Sequence, residues 1–283
     1  MRTGSTDAQS ELIKIHAKPI LGKVRLLARW SKFGLRSLRA GNFSFFGNAL
    51  NAQISLIFFT LRDIVVRRKE VTCNICGWSG HNFYPNLCSG YYHKEVLCPG
   101  CDCLDRYRTF AAVLMKRTSF FSLGTYVIEV APARRFQEYC LKQKNNQNYI
   151  SFDVQQFAME KGDITNMRYE NNIADYFLCS EVLDYIEDDA AAFREVWRVL
   201  KPGGLFIIHV AVDGDMPETR EYGAPNPKDD YHIRRYGRDL PKRISAFGFE
   251  VSTLSATECI GEQEMRKFGL SREPLFIAKK VVH

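Results

Sequence analysis

An open, doubly wound α/β sheet is the fold class that this 283-residue chain predicts, and three features predict it. Short apolar runs at 126–130, 149–152, 174–179 and 205–210 alternate with helical patterns, as βα units do. The turn Lys201-Pro202-Gly203-Gly204 sits between a helix pattern and the last of those runs. Two Cys-x-x-Cys pairs stand before the first strand and mark off a small module.

The elements follow in order. Residues 126–130 form a first strand bounded by Gly124, and a helix starts near Ala133. Residues 149–152 form a second strand closed by Asp153, and a short third strand precedes the turn at Asp163. Residues 174–179 form the fourth. Asp188 or Asp189 caps the next helix, whose Phe193, Val196, Trp197 and Leu200 make one apolar stripe. Lys201 suits the negative end of its dipole, and Pro202-Gly203-Gly204 stops it. Residues 205–210 read as a buried parallel strand, 240–247 as a helix, and 249–254 and 275–278 as the last two strands. Residues 213–230 are rich in Asp, Glu, Pro and Gly and read as a long surface loop or lid. The domains expected are an arm over 1–70, a cysteine module with its linking helix over 71–118, and the sheet domain over 119–283.

With 46% hydrophobic residues the chain has enough apolar material for a core, and its composition is not that of a disordered protein. The net charge of +7 is uneven. Residues 1–72 hold 13 Lys/Arg against 4 Asp/Glu, while the remainder holds 26 against 28. Gly22, Gly34, Gly41 and Gly47 are expected to break the arm into short pieces. Lys14, Lys18, Lys23, Arg25, Arg29, Lys32, Arg36 and Arg39 punctuate it, and Ile54, Ile57, Phe58, Leu61 and Val65 recur on one helical face. Three readings stand: an arm packed on its own protein with charges in water, an arm lying on an anionic membrane or serving a lipid-linked substrate, and nucleic-acid contact. The first leads. No recognition-helix or RNA-binding motif supports the last. No membrane span is expected, because the most apolar early run, 54–61, is far below the roughly 20 residues that a bilayer needs. A signal-peptide pattern is lacking, and a cytoplasmic location, with peripheral membrane contact as the variant, is expected.

Nine cysteines are too few and too clustered for a secreted disulfide scaffold of this length. Cys73-x-x-Cys76 and Cys98-x-x-Cys101, 21 residues apart, bring four thiolates to one point and suit a structural zinc without an open position. Cys88 and Cys103 are competing ligands, and His81 and His93 also lie close by in the sequence. A redox Cys-x-x-Cys is weakened by the presence of two matching pairs. Arg106 and Arg108 beyond the second knuckle are expected to pack the module or to face the active site.

The order of strand tips, the Lys201–Gly204 turn and the cysteine pairs together resemble one family: doubly wound S-adenosylmethionine-dependent methyltransferases, in the methyltransferase type 11-like subgroup with an N-terminal zinc-ribbon-like module of four cysteines. The resemblance covers 119–283 and, for the subgroup, extends back to about residue 73. It implies a seven-stranded sheet and S-adenosylmethionine as cofactor. Glu129 matches the acidic end of the family's first strand. Ala131, in the loop Val130-Ala131-Pro132-Ala133, stands where most relatives carry glycine, although the subgroup has an Ala-Pro loop. Asp153, with Val154 beside it, matches the acid that holds the ribose hydroxyls. Asp163 matches the acid that meets the adenine amino group, with Ile164 against the ring. Cys179 and Ser180 fall at the cofactor's edge. Relatives commonly read His-Val-Leu-Glu-His after the fourth strand, where this chain reads Glu181-Val182-Leu183-Asp184-Tyr185. Glu181 could replace the first histidine as base if its pKa were raised. Downstream, His232 is the best candidate base, Arg234 a clamp for carboxylate or phosphate, and Tyr236 a group that orients a hydroxyl. The alternative for Arg234 and Tyr236 is to anchor the lid.

The implied activity is methyl transfer to an oxygen or nitrogen of an unidentified acceptor, a small molecule or a sugar- or lipid-linked metabolite. Two other readings remain open: an inactive zinc-stabilised cofactor-binding or scaffold protein, favoured by the missing glycines and histidines, and transfer of another part of the cofactor.

Overall fold

A computed structural model of the chain describes residues 19–66, 68–88, 91–155, 158–227 and 229–281, so Lys14 and Lys18 of the arm lie outside the described residues. Two compact units divide it: Met1–Ala112 with Ile260–Ser271, and Val113–Cys259 with Arg272–His283.

In the first unit the arm is two helices, α1 (Pro19–Arg39) and α2 (Phe43–Val65). Gly22, Gly34 and Gly47 do not break them, contrary to the expectation from glycine content; only Gly41, at φ +72°, sits in the turn between them. At Gly34 an added Cβ would stand 3.2 Å from Ala49 Cβ, so this glycine lets the two helices come together. Asn42 caps α2 by accepting from the Phe45 amide at 3.0 Å. The expectation of no membrane span meets one marginal case among the described residues. The stretch Phe43–Asp63, 21 residues with mean hydropathy 1.2, is long and apolar enough to cross a bilayer by length and composition. Its apolar residues extend on both sides of the run 54–61, with small and polar residues between them earlier in the helix.

Trp30, Ala49, Ala52, Leu56 and Phe59 pack with Tyr84, Leu87 and Leu97 into the core of this unit. The last three come from a hairpin, β3 (Tyr84–Cys88) and β4 (Tyr91–Leu97), while β1 (Val71–Thr72) pairs with β2 (Ser79–Gly80). The helix α3 (Asp105–Arg117) follows, and its fully buried Arg108 is the hub. Its guanidinium donates to the carbonyls of Val96, Cys103, Phe268 and Gly269 at 2.7–3.0 Å and stacks 3.7 Å over the Phe83 ring. Arg108 thereby ties the cysteine module to the segment Ile260–Ser271, which sequence reading left unassigned.

In the second unit, β5 (Val127–Val130), β6 (Tyr149–Asp153), β7 (Glu160–Lys161), β8 (Ala174–Ser180), β9 (Leu200–His209), β12 (Phe249–Leu254) and β13 (Leu275–Lys280) form one seven-stranded sheet of order β12-β13-β9-β8-β5-β6-β7. Neighbours from β9 to β7 run parallel, and β13 runs antiparallel to both β9 and β12. This is the seven-stranded α/β architecture expected. The sheet core is aromatic and branched, with Phe152, Phe177, Phe193, Phe206 and Phe249 among its members. Helix α4 (Arg134–Gln143) follows β5, and α5 (Asp189–Val199) follows β8. Asp188, not Asp189, caps α5 by accepting from the Ala191 amide at 2.8 Å.

Two sequence boundaries shift. The strand after α5 begins at Leu200 rather than 205, with an irregularity opposite Ala174–Tyr176. There Gly203 adopts φ +77°, and a Cβ on Gly204 would come within 2.9 Å of the Lys201 carbonyl. Lys201 donates to Asp175 at 2.8 Å rather than serving the helix end. The expected lid is partly regular as well: β10 (Arg220–Asn226) and β11 (His232–Arg235) pair antiparallel, because Glu221 and Arg234 face one another across the ladder.

Candidate functional site

Parallel packing sends the carboxyl ends of β5, β6 and β8 to one edge, at the point where strand order reverses. A cavity of about 700 Å³ opens there, lined by Ala131, Asp153, Val154, Gln155, Asp163, Thr165, Glu181, Val182, Tyr185, Ile186, Glu187 and Asp188. Its size suits a small-molecule or cofactor site. Five of the lining residues are acidic and none is Lys or Arg, so its field favours a cationic ligand.

The structure brings Ala131, Asp153, Val154, Asp163 and Glu181 together on this wall. Ala131 takes φ +47°, so the loop after β5 makes its left-handed turn without glycine, at a strain of roughly 1–2 kcal/mol. Its amide donates to the Phe152 carbonyl at 2.8 Å, which pins the loop to β6. Asp153 Oδ1 accepts from the Gln155 amide at 3.1 Å, and Asp163 Oδ1 accepts from the amide and hydroxyl of Thr165, both at 2.8 Å. These bonds fix the carboxylates as preset acceptors.

Four expected cofactor residues lie outside the lining. Glu129 is buried and takes the hydroxyl of Tyr149; burial pushes its carboxyl up to about 8. Ile164 and Cys179 are core residues, and burial pushes the Cys179 thiol well above its ordinary range. Ser180 is buried at the tip of β8, and its Oγ has no hydrogen-bond partner among the described residues. A buried, unpartnered hydroxyl beside the cavity fits a ligand that supplies the missing bond.

Arg234 and Tyr236 also stand off the cavity. Arg234 is 3% exposed in its side chain and donates to the carbonyls of Leu183, Ile186 and Glu187 and to Glu221. The Tyr236 hydroxyl bonds Asp189 at 2.9 Å, and burial pushes it well above its ordinary range. Both side chains brace the 183–189 segment, the geometry of a lid anchor. His232 Nε2 lies 3.0 Å from Asp184 Oδ2, and its ring packs edge-on against Tyr185, which lines the cavity. The hydrogen bond to Asp184 raises the pKa of His232 above its ordinary value, against the opposing effect of burial.

Sequence reading missed His209. At the end of β9 it is 2% exposed, with Nδ1 2.7 Å from Glu181 and Nε2 2.9 Å from Glu273. Burial disfavours its charge, but the two carboxylates outweigh burial and push it up to about 9. Glu181, at φ +55°, is thus held between the cavity and a cation. A lone histidine in an apolar strand was the available signal.

In the first unit, Cys73, Cys76, Cys98 and Cys101 place their sulfurs within 4.8 Å of one another. The Cys73–Cys101 and Cys76–Cys98 separations are 3.8 and 3.7 Å. A tetrahedral metal with sulfur at about 2.3 Å has edges of about 3.8 Å, so the cluster is able to hold a metal. Cys103 is buried nearby and is outside this set; the Cys88 side chain lies outside the described residues.

The sheet order, with the cavity at its switch point, is that of the class I methyltransferase-like α/β fold. Residues 113–208 match the family model described as a methyltransferase domain. The sterol 24-C-methyltransferase erg6 of Schizosaccharomyces pombe is 29% identical over 121 residues, 35% of this chain. The match spans only 32% of that relative's length. Among solved structures, human N-acetylserotonin methyltransferase is 13% identical with a TM-score of 0.43, covering 62% of this chain and 54% of that one. The YcgJ protein of Bacillus subtilis is 13% identical with a TM-score of 0.40, covering 63% of this chain and 100% of that one.

The His209 geometry carries a signed pH expectation. A raised folded pKa contributes stability that is complete below the unfolded value, about 6.5, and fades as pH rises through about 9. The stability advantage of wild type over His209→Gln, measured by urea unfolding, is expected to shrink by on the order of 2–3 kcal/mol across that window. A constant difference across the window contradicts the charged pairing.

Proposed function

We propose that this chain is an S-adenosylmethionine-dependent methyltransferase acting on an oxygen or nitrogen of a small-molecule acceptor. The acidic cavity at the strand switch point carries this reading. When bound, the cofactor supplies a methyl group already activated on a positive sulfur. Asp153 would accept the two ribose hydroxyls, and Asp163 would accept from the adenine amino group, each carboxylate preset by its own turn. The buried Ser180 hydroxyl at the tip of β8 would complete its bonding with the bound cofactor. Glu181, Glu187 and Asp188 give the wall its negative field. Little covalent help is needed from the protein; alignment of the acceptor with the methyl carbon and sulfur provides several kcal/mol of the rate.

His232 serves as base for acceptors that must lose a proton, with Asp184 holding the ring. Because Asp184 raises its pKa, His232 accepts a proton only above the ordinary histidine range, so the rate climbs with pH there. The four cysteines hold a structural zinc: four thiolates close the tetrahedron and leave no position for water. Thiolates of this kind suit a reducing, cytoplasmic compartment.

Three outcomes are expected. Purified protein carries one zinc per chain by metal analysis, and Cys98→Ser loses it; zinc-free wild type removes the metal assignment. Asp153→Ala weakens S-adenosylmethionine binding by roughly tenfold in calorimetry, the loss of about 1.4 kcal/mol that a charged hydrogen-bond pair contributes. Unchanged affinity rejects the ribose role. His232→Ala lowers turnover, followed as S-adenosylhomocysteine release, and abolishes its rise with pH while leaving cofactor affinity intact. Equal profiles for variant and wild type reject the base.

A further inference from the structure

The helix α2 is apolar on two faces, and the first unit uses only one. Its inner face, through Ala49, Ala52, Leu56 and Phe59, is buried with Trp30 and Tyr84. On the outer face Leu50, Ile54, Ile57, Phe58, Leu61 and Val65 are all exposed, four of them by more than half. Their steps of three, four and seven residues make a continuous stripe. An exposed apolar stripe of this length marks an interaction site.

The adjoining helix identifies the occupant. Between Pro19 and Arg39, α1 carries six basic residues and no acidic one. Arg29, Lys32, Arg36 and Arg39 are exposed, as are apolar Val24 before them and Leu35 and Leu38 among them. Apolar surface on one helix and exposed positive charge on its neighbour match a bilayer surface that offers acyl chains and phosphates together. A second copy of this chain is a poor partner, because an isologous contact would set the same basic helix against itself.

We propose that α1 and α2 seat the protein in the interfacial layer of an anionic membrane, with the outer stripe of α2 among the acyl chains. The pair lies in the interface and does not cross it. Crossing would strip the inner face of α2 from its core and break the bonds of Asp63 to Tyr84 at 2.6 Å, Ser55 to Tyr92 at 2.9 Å and Gln53 to Ser31 at 3.1 Å. The proposal stands independently of the methyl-transfer reading.

Cosedimentation of the full chain with phosphatidylcholine vesicles, with and without phosphatidylglycerol, tests it. Binding is expected with phosphatidylglycerol and roughly tenfold weaker without it. Ile54→Glu/Ile57→Glu and Lys32→Glu/Arg36→Glu are each expected to lose at least about tenfold in binding, the first by removing apolar burial and the second by removing phosphate contacts. Retained metal content and circular dichroism show that each variant is folded; the outward Ile54→Ser variant, with an intermediate loss, serves if the double glutamate does not fold. Undiminished binding by these variants overturns the proposal. So does wild type that ignores both vesicle types, that forms dimers dispersed by Ile54→Glu, or that resists carbonate extraction as a spanning protein would.

Discussion

The sheet domain depends on the parallel register of β5 between β6 and β8. That pairing sets Glu129 opposite Ser151 and Leu178, and so brings three strand tips level. Ala131, Asp153 and Glu181 reach one cavity only because of that alignment. A slip of one residue would exchange the two faces of the strand and shift its tip along the edge, which breaks that alignment. Two of the chain's left-handed non-glycine residues sit at this same edge. Ala131 and Glu181 both hold left-handed conformations where glycine would be relaxed. Each is pinned by neighbours, Ala131 by the Phe152 carbonyl and Glu181 by the His209 carbonyl and side chain.

Behind the cavity lies a second layer of charge. Asp189 and Glu221 meet Arg234, Tyr236 and Arg243, and this network fastens the 183–189 segment to the hairpin β10–β11. His232 and Asp184 belong to the same region, one step from Tyr185 on the cavity wall. Residues read from sequence as a substrate clamp thus divide into two kinds. Arg234 and Tyr236 are consumed by fixed partners, while His232 remains partly exposed beside the wall. The first unit follows a similar economy, in which Arg108 satisfies four buried carbonyls with one side chain.

Much of the sheet was legible from local pattern. The runs at 126–130, 149–152 and 174–179 became strands within a residue or two, since buried parallel strands need continuous apolar stretches, and 249–254 became the antiparallel edge strand. The helix capped by Asp188 and the paired cysteines were legible for the same reason: short-range spacing carries their geometry. The arm was misread at its glycines. Gly34 looked like a breaker, yet its value lies in the close approach of Ala49, a contact made across a turn. His209 was passed over because its two glutamates come from positions 181 and 273.

The amino-acid order alone thus settled the α/β class, the strand and helix sequence, the cysteine cluster and the acids at the strand tips, because each is a matter of neighbours in the chain. Folding in three dimensions settled which of those acids share a cavity, that Arg234 and Tyr236 brace rather than line it, and which face of α2 is left bare. Those outcomes depend on contacts between residues distant in the chain, and burial, partner and exposure come into being only when the elements pack.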